Sequence, residues 1–205
     1  MRNADREYIF NSISSLCDVL NKSTEILCEI IDTNDCESIV KRIASYEDEA
    51  DNIFHDFRYY YGNNNLTEDV DAVRLYDVAL AIESLTDAVD DLARDFYRYN
   101  VTEFRESVVS MIINIERAST QLMKIVVLLR KNGKTPGAFK DVIELDHFKV
   151  EASRLYDINM NRLFSEGNDP VDVIRWNAIL SSIRKVYEFF ESVAEACGKY
   201  IYGWE

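Results

Sequence analysis

Apolar residues recur along almost the whole chain at steps of three and four, and almost nothing interrupts them. Ile9, Ile13, Leu16, Leu20, Leu27 and Ile31 begin the series. Such spacing places side chains on one face of an α-helix, whereas a strand would need a step of two. Breakers are scarce: 6 Gly and 2 Pro in 205 residues. A sheet joined by many tight turns needs more of both, so the expected fold class is all-α, with about six long helices.

The breaks divide the chain into six segments. The first helix is expected over about 5–32 and the second over about 36–61, with Asn34 or Asp35 as its cap. Gly62-Asn63-Asn64-Asn65 ends the second. Thr67-Glu68-Asp69-Val70 opens the third, with Thr67 as the expected cap and acidic groups suited to the helix dipole. The third runs to about 99 and the fourth from about 103 to 131. The clearest loop is 132–137. The fifth covers about 138–164. Asp169-Pro170, a cap followed by a first-turn proline, starts the sixth, which runs to about 202.

The chain also repeats itself. DAVRLYDVALAIESLTDAVDDLA, residues 71–93, lies over DVIRWNAILSSIRKVYEFFESVA, residues 172–194, without a gap. Ala50-Asp51 in the preceding helix lies over Ala152-Ser153. A period near 100 residues is too long for a solenoid and reads as a duplicated lobe. The expectation is therefore one domain of two pseudo-repeated antiparallel three-helix bundles, with lobes 1–101 and 102–205.

Charge separates the lobes. The net charge is −14. Residues 1–101 hold 9 Lys and Arg against 22 Asp and Glu; residues 102–205 hold 14 against 15. So acidic a chain repels phosphate backbones, which argues against nucleic acid and anionic lipid as partners. No apolar run reaches the ~18 residues of a membrane span, so no direct membrane insertion is expected. The first residues, MRNADREYIFNS, lack the apolar core of a signal peptide. Cys17, Cys28, Cys36 and Cys197 form no C-x-x-C pair, consistent with reduced thiols in the cytoplasm.

The acidic half contains two ladders. Glu47 and Asp51 are four apart in the second helix, and His55 follows one turn later. Glu83, Asp87 and Asp91 repeat the step in the third. Residues four apart share a helix face, and like charges there repel. Facing ladders on antiparallel helices call for a positive charge between them, or for protonation. Carboxylate oxygens suit hard cations such as magnesium, calcium or manganese, and iron, or zinc with His55 assisting. The alternative is a hydrated boundary row paired with Arg58, Arg94 or Lys41. In the second half Glu47 and Asp51 are replaced by Lys149 and Ser153, and Glu83 and Asp87 by Arg184 and Glu188. There a side-chain cation, Lys149 or Arg184, is expected to take the ion's place and pair with Glu188.

Other chemistries fit less well. A di-iron carboxylate enzyme uses two Glu-x-x-His motifs. Glu144-Leu145-Asp146-His147 supplies one, but His55 has Asn52 three residues before it. No loop has the phosphate-cradling glycine pattern. A helical scaffold binding a protein through an apolar or aromatic groove is the non-enzymatic alternative, with Phe57, Tyr59, Tyr60 and Tyr61 a dense aromatic end to the second helix; Tyr200, Tyr202 and Trp204 offer a contact for a neighbouring helix or for a second copy in a homo-oligomer.

Glu47-x-x-x-Asp51 within YEDEADNIFHD, Glu83-x-x-x-Asp87, LYDINMNRLF and DPVDVIRWNAI…FFESVAEACGKYI together resemble the PhoU-like proteins. The likeness is to their short branch of phosphate transport regulators, which accompany Pit phosphate transporters. The paired E/D-x-x-x-D motif is the family's feature; in larger members it looks like a multinuclear iron or zinc site in each lobe. The resemblance implies a cytoplasmic regulator without catalytic activity, bound to a membrane phosphate transporter or a regulatory protein. It carries a metal-ligating role to Glu47, Asp51, Glu83 and Asp87, and places His55 where this branch often has a histidine. At positions 149, 153 and 184 the chain departs from the pattern, which leaves one divalent or iron-type metal site, in the first lobe.

Overall fold

The computed structural model describes residues 1–205 except Asn34, Gly133, Glu166, Trp204 and Glu205. Six α-helices account for most of it: α1 Asn3–Glu29, α2 Cys36–Asn63, α3 Val70–Arg98, α4 Glu106–Asn132, α5 Pro136–Leu163 and α6 Pro170–Tyr202. A single 3-10 turn, Leu66–Glu68, precedes α3. Among the described residues there is no strand.

Side-chain caps set several helix starts. Asp35 accepts from the Ser38 amide at 3.0 Å, Thr135 from the Ala138 amide at 3.4 Å and Asp169 from the Val171 amide at 2.8 Å. At α3 the cap is Asp69 and not Thr67. Its Oδ1 accepts from the amides of Asp71 and Ala72, both at 3.0 Å, while Thr67 lies inside the 3-10 turn. A carboxylate offers a charged acceptor to the positive helix end, which a hydroxyl does not. The start of α4 is also later than expected, at Glu106 rather than near 103.

Short connections make successive helices antiparallel. The result is two bundles of three, α1–α3 and α4–α6, lying side by side: α1 packs on α4, and α3 on α6. The cross-bundle pairs run antiparallel too, since Arg6 reaches the Arg130 carbonyl near the end of α4 while Cys28 approaches the Ile112 carbonyl near its start. One continuous apolar interior joins both bundles, with Ile13, Leu20, Ile43, Leu75, Ile115, Leu122, Ile183 and Val193 at 0–1% exposure. Fully burying each such side chain stabilises the fold by roughly 1.5–3 kcal/mol. Within it, Thr24 and Ser119 share a 2.8 Å hydrogen bond between α1 and α4, so the polar groups of that seam satisfy each other.

The repeat is visible in what each third helix buries. Leu75, Val78, Ile82, Leu85, Val89 and Phe96 of α3 are buried, and so are Trp176, Ile179, Ile183, Val186, Phe190 and Cys197 of α6 at the same alignment positions. The carboxy-terminal aromatics pack inward or sideways. Tyr200 is buried against Phe10, and Tyr202 meets the edge of Phe139 on α5 at 4.6 Å. Trp204 lies outside the described residues.

Candidate metal centre

The antiparallel pair α2–α3 carries both acidic ladders on its outer seam. Beneath them, Ala50, Phe54, Phe57 and Ile82 fill the interior, which fixes the rotation of both helices about their axes. Three carboxylates converge above this floor. One oxygen each from Glu47, Asp51 and Asp87 lies within 4.8 Å of the others. Glu47 is half-buried; Asp51 and Asp87 are exposed. Glu83, one turn before Asp87 and half-buried, accepts from the Ser84 hydroxyl at 3.2 Å and falls outside that convergence.

The electrostatics are those of a site short of positive charge. Loss of hydration around the Asp87 carboxyl, followed by the charges of Glu83, Asp51, Asp91 and Asp90, pushes it up to about 6. Glu47 is raised by burial and then by Asp51 and Asp87. Burial raises Glu83 most, against a partial offset from the Ser84 hydroxyl. Among the described residues no Lys or Arg forms an ion pair with Glu47, Asp51 or Asp87. The cations expected to do so make their close contacts elsewhere: Lys41 pairs with Glu37 at 2.6 Å, Arg94 pairs with Asp90 and acts on Glu47 by charge alone, and Arg58 lies over the Phe54 ring at 5.9 Å, from where its charge partly offsets the rise at Glu83. Three convergent oxygens without an ion-pair partner fit a hard divalent cation, which would be held by Glu47, Asp51 and Asp87 and would lower the repulsion among them.

A pH dependence follows. A carboxyl whose folded pKa is raised binds its proton more tightly when folded than when unfolded. Its destabilising effect is absent below the ordinary carboxyl range and complete above the raised value. Metal-free protein therefore loses stability as pH rises from about 4 to about 6 through Asp87. Asp5 acts oppositely: Arg2 holds it down at about 2, so its contribution is lost only below about pH 4. Melting temperature recorded with chelator from pH 4.5 to 7 should fall with pH in the wild type and be flatter in Asp87→Asn. An unchanged slope in the variant contradicts the assignment.

Two of the residues singled out from sequence stand apart. His55 is 82% exposed at its side chain, with Nδ1 3.7 Å from Asp56 Oδ1. Asp91 accepts from Lys185 Nζ of α6 at 2.9 Å, so it ties the two bundles together. Asp90 was not expected at this seam: it is 5% exposed, and its charge acts on both Glu47 and Asp87.

The same place in the second bundle is a groove of about 580 Å³ between α5 and α6, lined by Lys149, Ser153, Tyr156, Arg184, Glu188 and Glu191 among others. Its cations are internal. Arg184 Nε donates to Glu188 Oε1 at 2.9 Å, as expected, and the guanidinium lies over the Tyr156 ring at 5.3 Å. Lys149 pairs with Glu191 instead of Glu188.

No family model and no curated protein matches the chain. Solved structures do. The crystal structure of the phosphate transport system regulatory protein PhoU from Streptococcus pneumoniae aligns with 98% of this chain and 97% of that one, with a TM-score of 0.64 and 7% sequence identity. The fold is PhoU-like. At so low an identity the likeness concerns the helix arrangement. The PhoU-like frame sets α2 beside α3 and α5 beside α6, the two seams compared above.

Proposed function

We propose that this chain is a non-catalytic regulator of inorganic phosphate transport, of the short PhoU-like branch that accompanies Pit transporters. In this reading it binds a membrane transporter or signalling protein from the cytoplasmic side. None of the described helices is long and apolar enough to cross a membrane, so attachment runs through the partner. The observation that carries the reading is the PhoU-like fold over 98% of the chain. The acidic motif on the α2–α3 seam supports it: residues 1–101 form a lobe that holds one divalent or iron-type ion, and residues 102–205 a lobe closed by its own ion pairs. Removing the gene and measuring uptake of labelled phosphate tests the function. Uptake, or its response to external phosphate, should change and be restored by the intact gene. Unaltered uptake at both low and high phosphate contradicts it.

A further inference from the structure

Asp90 is buried on α3, and only one of its two oxygens is satisfied. Oδ2 accepts from Arg94, while Oδ1 has no hydrogen-bond partner. An unpaired buried acceptor of this kind is destabilising, the more so when the group is charged. The second bundle shows what belongs there. The gapless alignment of 71–93 with 172–194 puts Asp90 over Glu191, and the match of the preceding helices, Ala50-Asp51 over Ala152-Ser153, puts Glu47 over Lys149. In that bundle the Lys149 ammonium bridges α5 and α6 to reach Glu191. At the equivalent pair in the first bundle both groups are carboxylates; the Arg94 guanidinium pairs with Asp90 through Oδ2 and acts on Glu47 by charge, and Oδ1 of Asp90 is left without a partner.

We propose that Asp90 belongs to the first-bundle cation site, where its free oxygen accepts a hydrogen bond from a water carried by the ion that Glu47, Asp51 and Asp87 hold. The role rests on the metal reading given above. Hard cations such as Mg²⁺ and Mn²⁺ retain several waters, and partners beyond the direct ligands orient such waters. Arg94 neutralises the other oxygen of Asp90 and leaves Oδ1 for the ion's water. Position 94 is Glu195 in the second half, so charges at two of the three positions are reversed together: Glu47, Asp90 and Arg94 against Lys149, Glu191 and Glu195.

Calorimetric titration with Mn²⁺ tests this, with a melt in chelator to check folding of each variant. Wild type should bind one ion. Asp90→Asn should bind about tenfold more weakly or worse, as is usual for loss of an outer partner. Asp90→Glu, which copies the second bundle, should stay within a few-fold of wild type. Arg94→Gln should bind as tightly as wild type or more tightly, because it removes a competing positive charge. If Asp90 served only its pair with Arg94, Asp90→Asn and Arg94→Gln would weaken binding alike, and that result overturns the proposal. Equal affinity of wild type and Asp90→Asn overturns it too, while leaving the metal site standing. No binding to wild type overturns both. Should Asp90→Asn not fold, Arg94→Gln and Asp90→Glu decide: weakened binding by Arg94→Gln rejects the role.

Discussion

Saturating Mn²⁺ or Mg²⁺ should raise the melting temperature of the chelator-treated protein by several degrees, and should leave a Glu47→Ala, Asp87→Ala variant unmoved. The reason is mass action. An ion at 100 times its dissociation constant stabilises the folded state by about 2.7 kcal/mol, which for a chain of this size is about 5–10 °C. The unfolded chain cannot bring Glu47, Asp51 and Asp87 together, because they come from two helices whose approach depends on the fold. The variant should also melt higher than wild type when chelator is present, since it loses two of the charges that repel. Calcium-sized and magnesium-sized ions need not be equal, because Mg²⁺ demands stricter octahedral geometry. A shift that survives in the variant would place the ion elsewhere.

Phe57→Ala should be the most damaging single change near the site, with a loss of about 3–5 kcal/mol in urea unfolding. Phe57 is 0% exposed on the inner face of α2. Its ring stacks with Tyr76 of α3 at 5.6 Å and touches Phe54 and Tyr61, both at 6.1 Å. Tyr61 and Tyr76 close the cluster at 4.8 Å. The interior is close-packed, so the space vacated by the ring is refilled only in part. Since this cluster clamps α2 on α3, added metal should recover part of the lost stability in the variant. The metal-ligand substitutions should show the reverse pattern: a gain without metal, and no further rise with it. Comparable losses for Phe57→Ala and for an exposed change such as Tyr59→Ala would contradict the packing assignment.

Helix positions were legible because they depend on local spacing. The core positions Ile13, Leu20, Ile43, Ile82 and Ile183 follow from period alone. The α3 cap was misread because Thr67 and Asp69 are both competent caps, and the 3-10 turn that chooses between them is set by packing of Leu66. The site was partly legible for a geometric reason. A step of four residues turns a helix by about 400°, so each rung of a ladder drifts about 40° around the axis, and the third rung lies about 80° from the first. His55 and Asp91 are third rungs, and both have left the seam. Glu47 and Asp51, the first two rungs on α2, converge with the middle rung of the α3 ladder, Asp87. Asp90 was overlooked because it lies off the four-residue step; its signal was the Lys149 and Glu191 opposite it in the repeat. The contact of α1 with α4 and of α3 with α6 was not legible, because a helix that is apolar on a wide face does not say which neighbour covers which part.

In the proposed reading the duplicated fold keeps a single ion site, in its first bundle. Titration of chelator-stripped protein with Mn²⁺, followed by calorimetry, measures it directly. The expected result is one ion per chain, an affinity that strengthens as pH rises through about 6 where Asp87 loses its proton, and loss of binding in Asp87→Asn but not in Glu188→Gln. Two equivalent ions per chain, or binding that is weakened by Glu188→Gln and indifferent to Asp87→Asn, would contradict it.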